Sequence, residues 1–172
     1  PPQMLLEQCE KKNDVNLPYG IVLLPRNDHN GAFYERRADF NAVFEKLKGK
    51  YGFIALEADD KAGIAKLLLK LKKRHIRPGQ TVPEHKISFA FIGGHGTKNS
   101  IQFGGRDNAS RLTVADLVGP GIKRSGMFFE DNPIMMLASC STGAKAGIGK
   151  QLSEMLGAKV IAPSEDAGIV RF

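Results

Sequence analysis

Ile134-Met135-Met136-Leu137-Ala138-Ser139-Cys140-Ser141-Thr142-Gly143 is the stretch whose reading decides the fold. Its apolar run has strand length and stops at a thiol and then a glycine, the pattern of a buried strand ending at a sheet edge. Upstream, Ile87 to Ile92 repeats the pattern and ends in Gly93-Gly94-His95-Gly96. Two buried strands therefore each end at a residue capable of nucleophilic or acid–base chemistry. Glycines beside such an end let backbone approach closely while a side chain projects past the sheet.

Working outward, Tyr19 to Leu24, Phe53 to Leu56 and Lys159 to Ala162 read as further strands. Between them lie helical patterns. One is marked by Phe40, Val43, Phe44 and Leu47; another is capped by Asp59 or Asp60 and ends before Pro78; a short one starts at Thr113 and reaches Val118; the last runs from Ala144 to Leu156. Ser100 to Phe103 alternates and predicts a small hairpin arm ending at Gly104-Gly105. Strands alternating with helices imply an α/β fold, three layers deep, whose mostly parallel central sheet is flanked by helices. In such sheets sites gather at the carboxyl ends of strands. If the strands before His95 and Cys140 are neighbours, about 4.8 Å apart, the two residues share one crevice. Nothing local in the sequence forces that adjacency.

Residues 1–18, with a short helical pattern over Met4 to Lys12, read as an extension, and 19–172 as the domain. The Pro1-Pro2 start and the strand-like Gly168 to Phe172 finish suggest a fragment of a longer chain. No segment reaches the ~20 apolar residues of a membrane span, and no signal-peptide pattern opens the chain.

Two cysteines, Cys9 and Cys140, define neither a disulfide framework nor a zinc site, and no His/Cys/Asp/Glu spacing suits a metal. No cofactor is implied. The net charge of +7 invites an anionic partner. Its densest source is Lys66, Lys70, Lys72, Lys73, Arg74 and Arg77, opposite Ile64, Leu67, Leu68 and Leu71 at helical spacing. A solvated helix face explains these cations, and a polyanion is the functional alternative. Aromatics are not interleaved among them, which argues against single-stranded nucleic acid.

A cysteine becomes a strong nucleophile as thiolate, and a neighbouring imidazole supplies the base. Cys140 and His95 are the candidate pair. The backbone N–H groups of Gly96 and Cys140 are candidates for the oxyanion hole. The other histidines are weaker: His75 lies among lysines, His85 precedes its strand, and His29 follows the first strand on the candidate edge.

Ile92-Gly93-Gly94-His95-Gly96 followed by Leu137-Ala138-Ser139-Cys140-Ser141-Thr142-Gly143 resembles the His-Gly and strand-Cys motifs of caspase-like cysteine peptidases. The gap from position 95 to 140 is 45 residues, close to the roughly 50 of caspases. Within that clan the chain looks most like bacterial domains related to separase, then like the self-cleaving protease domains of bacterial toxins. The resemblance spans roughly Tyr19 to Asp166. It implies a caspase-like fold, a Cys140–His95 dyad, a peptide or protein substrate, and possible self-processing or ligand activation. With neither a signal-peptide pattern nor a membrane span, the expected location is the cytoplasm or a secreted bacterial effector, and the sequence does not decide between them. The caspase pentapeptide is absent, since Ser139 and Ser141 flank the cysteine, so aspartate preference is not inherited.

By the same resemblance, the first loop and the segment after the last strand would form the substrate pocket. These offer Arg36 and Arg37 on one side and Ser164, Glu165 and Asp166 on the other. The acids would favour Lys or Arg substrates and the arginines Asp or Glu; both remain open. An inositol polyphosphate site of the toxin kind would be incomplete, because only Lys145, Lys150, Lys159 and Arg171 follow Cys140.

Two other readings compete. Thr142-Gly143-Ala144-Lys145-Ala146-Gly147-Ile148-Gly149 matches a dinucleotide-binding glycine pattern, with Glu165 or Asp166 near the ribose position. Against it, only 23 residues follow Gly149, and no Tyr-x-x-x-Lys pair exists. The second is a caspase-like scaffold whose chemistry is idle and which serves as an interaction module.

Overall fold

A computed structural model describes residues 18–28, 30–33, 45–46, 50–74, 78–79, 85–119 and 126–166. The expected Met4–Lys12 helix, His29, Arg36, Arg37, His75 and Arg77 lie outside these residues, as does most of the helix over Phe40–Leu47.

The chain runs β1 (Tyr19–Leu24), β2 (Gly52–Glu57), α1 (Lys61–Arg74), β3 (Ile87–Gly93), β4 (His95–Thr97), β5 (Ser100–Gln102), β6 (Arg111–Thr113), α2 (Val114–Leu117), a 3-10 turn (Gly126–Phe128), β7 (Phe129–Ala138), α3 (Ile148–Leu156) and β8 (Lys159–Ile161). Among the described residues, five strands form one sheet in the order β2-β1-β3-β7-β8, and every pairing is parallel. β4, β5 and β6 form a separate antiparallel sheet. The fold is therefore α/β with a parallel central sheet.

The apolar runs of β1 and of the carboxyl-terminal halves of β3 and β7 fit burial on both faces. On one face, Ile21, Leu23, Ile54, Leu56, Ala90, Ile92, Met135 and Leu137 form a core with Leu68 and Leu71 of α1, Leu117 of α2, and Ile148 and Leu152 of α3. On the other, Val22, Leu24, Phe91 and Ala138 pack with Phe33, Phe89 and Met136. All three described helices thus lie on the first face. α1 turns Lys66 and Lys70 to solvent, as its spacing predicts.

Local signals explain the helix starts. Asp60 Oδ1 accepts from Gly63 N at 2.6 Å, so Asp60 caps α1. Thr113 caps α2 in a reciprocal box with Asp116. α3 starts at Ile148, four residues after the expected Ala144: Ala146 takes a left-handed φ of 59° and Gly147 is the cap, which ends helical geometry upstream. β7 begins at Phe129, earlier than its apolar run, because Phe129 pairs with Ile87 before a register shift. Ser100–Phe103 supplies the middle strand of the small sheet, with His95 itself on its first strand.

Candidate active site

β3 and β7 are neighbours, with Ile92 opposite Leu137 and Gly93 opposite Ala138. His95 and Cys140 each follow two residues after that last matched pair, at the same carboxyl edge. The crossing of the two connections is tight. A Cβ on Gly96 would lie 2.6 Å from Cys140 N and 2.7 Å from Ser139 C, and closer still to Cys140 O. Only glycine lets the strand carrying His95 lie against the turn carrying Cys140.

A third residue joins them from the loop after β1. His95 Nε2 donates to Asp28 Oδ1 at 3.0 Å, and the Asp28 side chain is fully buried while that of His95 is 31% exposed. Asp28 Oδ2 accepts from Phe33 N at 3.0 Å. The Phe33 ring meets the imidazole edge-on, with centroids 5.7 Å apart and planes at 73°. Gly93 has no side chain where Leu24 and Phe33 close in, 2.7 and 2.9 Å from its would-be Cβ. The imidazole is thus fixed by a carboxylate and an aromatic wall from the first loop. That loop is pinned in turn: Asn27 N and Nδ2 donate to Asp59 Oδ1 and Oδ2 at 2.8 and 2.6 Å.

Cys140 is half-buried. Its turn closes through Thr142 Oγ1, fully buried, which donates to Ser139 O at 2.7 Å. Ser164, Glu165 and Asp166 are exposed and border this turn: Ser141 N donates to Glu165 O at 2.9 Å, and Ser141 Oγ to Asp166 Oδ1 at 2.7 Å. His85 sits at the amino end of β3, before Ile87, as its position in the sequence implied.

The glycines of 142–149 have structural work. Would-be Cβ atoms on Gly147 and Gly149 lie 2.6 Å from Lys98 O and 2.7 Å from Thr142 O. Ile148 N and Gly149 N donate to those same two carbonyls at 2.8 and 2.9 Å. The N–H groups a pyrophosphate would require are therefore spent inside the protein. Among the described residues, no group of three His, Cys, Asp or Glu is placed to hold a metal ion. Nor is any described helix long and apolar enough to cross a membrane.

Sequence reasoning missed Asp28 and noticed His29 beside it. The available signal was an acid in the loop after β1, on the edge where His95 emerges. With β1 next to β3, that loop stands at the point where the strand order reverses, the usual crevice of open α/β sheets.

The chain belongs to a family described as a domain of unknown function (DUF8616), matched over residues 65–169. The matched span contains both His95 and Cys140 and excludes Asp28. No curated protein and no solved structure matches the chain.

Proposed function

We propose that this domain is a caspase-like cysteine endopeptidase in which Cys140 is the nucleophile, His95 the general base and acid, and Asp28 the residue that orients His95. The observation carrying the reading is the close seating of Gly96 on Cys140, with a buried carboxylate bonded to the imidazole of the preceding residue. A cysteine and a histidine merely near each other would not need that support.

Asp28 engages Nε2, so proton exchange with the thiol runs through Nδ1. Cys140 Sγ attacks the scissile carbonyl carbon as its proton passes to His95. The C=O electron pair moves to oxygen, and backbone N–H groups of Gly96 and Cys140 are the candidate donors to that oxyanion. Collapse breaks the C–N bond, and His95 returns the proton to the leaving amine. Water, deprotonated by His95, then attacks the thioester and releases the carboxylic acid and the thiol. The buried Asp28 carboxylate holds the imidazole in one orientation through both halves. No cofactor enters. The substrate is a peptide or protein, the parent chain included, and a polyanion at the exposed lysines is a candidate activator.

The test is labelling by a peptidyl acyloxymethyl ketone in wild type and in Cys9→Ser, Cys140→Ala, His95→Ala and Asp28→Ala. Label should map to Cys140, persist in Cys9→Ser, vanish in Cys140→Ala, and slow by about 100-fold or more in the other two. Label on Cys9, or wild-type speed in His95→Ala, overturns the assignment.

A further inference from the structure

The residue after the candidate nucleophile is conformationally unusual. Ser141 has φ 56°, in the left-handed region that a side chain disfavours and glycine accepts. Such a residue persists only where its surroundings hold it. Here the N–H and the hydroxyl of Ser141 are both held by one segment, the five residues after β8. Ser141 N donates to Glu165 O at 2.9 Å, and Gly143 N to Pro163 O at 2.7 Å. Ser141 Oγ donates to Asp166 Oδ1 at 2.7 Å. A Cβ on Gly143 would lie 2.9 Å from both Ala162 C and Pro163 O, so the segment runs flush along the turn. β8 anchors its start by pairing with β7, the strand that leads to Cys140.

The turn is therefore gripped from two sides, by Gly96 on the inner side and by residues 162–166 on the outer. The outer grip ends in a hydroxyl–carboxylate bond, the strongest kind of contact in the set. We infer that Asp166, acting through Ser141, is a positioning residue for Cys140 and not a receptor for a substrate cation. This rests on Cys140 being the nucleophile. It reassigns a carboxylate whose place in the sequence suggested a specificity pocket. With Oδ1 committed to Ser141, the acceptor oxygen of Asp166 holds the sulfur's turn in register. A shift of the turn by an ångström would move the sulfur off the line of attack.

The experiment uses the whole chain with two peptidyl acyloxymethyl ketones, one with lysine and one with leucine before the reactive group. Asp166→Ala should lower the inactivation rate constant by about tenfold or more with both probes, leaving half-saturating concentrations within about twofold. Asp166→Asn, whose amide oxygen still accepts, should recover most of the rate. Ser141→Gly suits the left-handed φ but lacks the hydroxyl, so adding Asp166→Ala to it should change the rate by less than about twofold. A loss confined to half-saturation by the lysine probe makes Asp166 a pocket residue and overturns the inference. So does a full Asp166→Ala effect in the Ser141→Gly background, or none in wild type. If neither probe labels wild-type Cys140, the peptidase reading itself fails. The grip is then judged by iodoacetamide alkylation of Cys140, which needs no substrate recognition and should still differ between wild type and Asp166→Ala.

Discussion

Gly96→Ala places a methyl group into the contact that joins the His95 and Cys140 connections. Its carbon would stand 2.6 Å from Cys140 N, about 0.8 Å short of the 3.4 Å at which ordinary contact begins, with Cys140 O nearer still. Every atom in the way is backbone, so no rotamer change relieves it. Either β4 or the 139–141 turn must retreat by close to 1 Å, and both are tethered. β4 is paired with β5, and the turn is bonded to residues 163–166. Overpacking of this size costs about 1–3 kcal/mol of stability, while displacing a nucleophile by ~1 Å costs about 100-fold in rate. Urea unfolding and ketone labelling would be measured together below the variant's unfolding midpoint. Gly126→Ala is the control: its added carbon meets nothing nearer than Leu156 Cδ2 at 4.0 Å, and its stability should stay within about 0.5 kcal/mol. Folded Gly96→Ala that labels at wild-type speed would refute the claim that this contact sets the site's geometry.

Two other carboxylates respond to pH in opposite senses. Burial raises the pKa of Glu57 above its ordinary value; Arg26 works against the rise and Asp59 adds to it. Its Oε1 is buried and makes no hydrogen bond. The folded state therefore favours the protonated acid, and the ionised form costs stability as pH climbs through and beyond 4.5. Glu57→Gln should raise the melting temperature by a few degrees at pH 7 and by nothing near pH 4; equal shifts at both would contradict this. For Asp116, burial pushes the pKa up but is outweighed by the Lys61 and Thr113 hydrogen bonds, leaving it below 3.8. Its contribution is present above 3.8 and lost as pH falls through the lowered value. Asp116→Ala removes the carboxylate half of the cap with Thr113 and the 2.9 Å pair with Lys61, and should cost about 1 kcal/mol in neutral urea unfolding. An unchanged midpoint would show that the cap carries no weight.

Much of the sheet was legible because β1 and the carboxyl-terminal halves of β3 and β7 are largely buried and so read as apolar runs. Their order was not, because pairing joins residues far apart in sequence; Ile92 meets Leu137 across 45 positions. Polar strands escaped for the opposite reason. His95-Gly96-Thr97 and the Glu130-Asp131-Asn132 part of β7 carry no apolar alternation and are strands only through their partners. α3 was expected too early because Ala144-Lys145-Ala146 favours helix by composition, while tertiary contacts through Lys98 and Thr142 bend that stretch into turns.

The site divides along the same line. Cys140 and His95 announce themselves, each standing where an apolar run meets glycine. Asp28 does not, since an acid in a polar loop looks like any other until β1 is placed beside β3. Its side chain is nevertheless fully buried, and an isolated buried carboxylate is costly. Two donors, His95 Nε2 and Phe33 N, offset that cost. Removing the imidazole therefore leaves a buried acid short of one partner. It follows that His95→Ala should lose stability as well as the proposed chemistry, and more stability than Cys140→Ala, which leaves Asp28 and its donors intact.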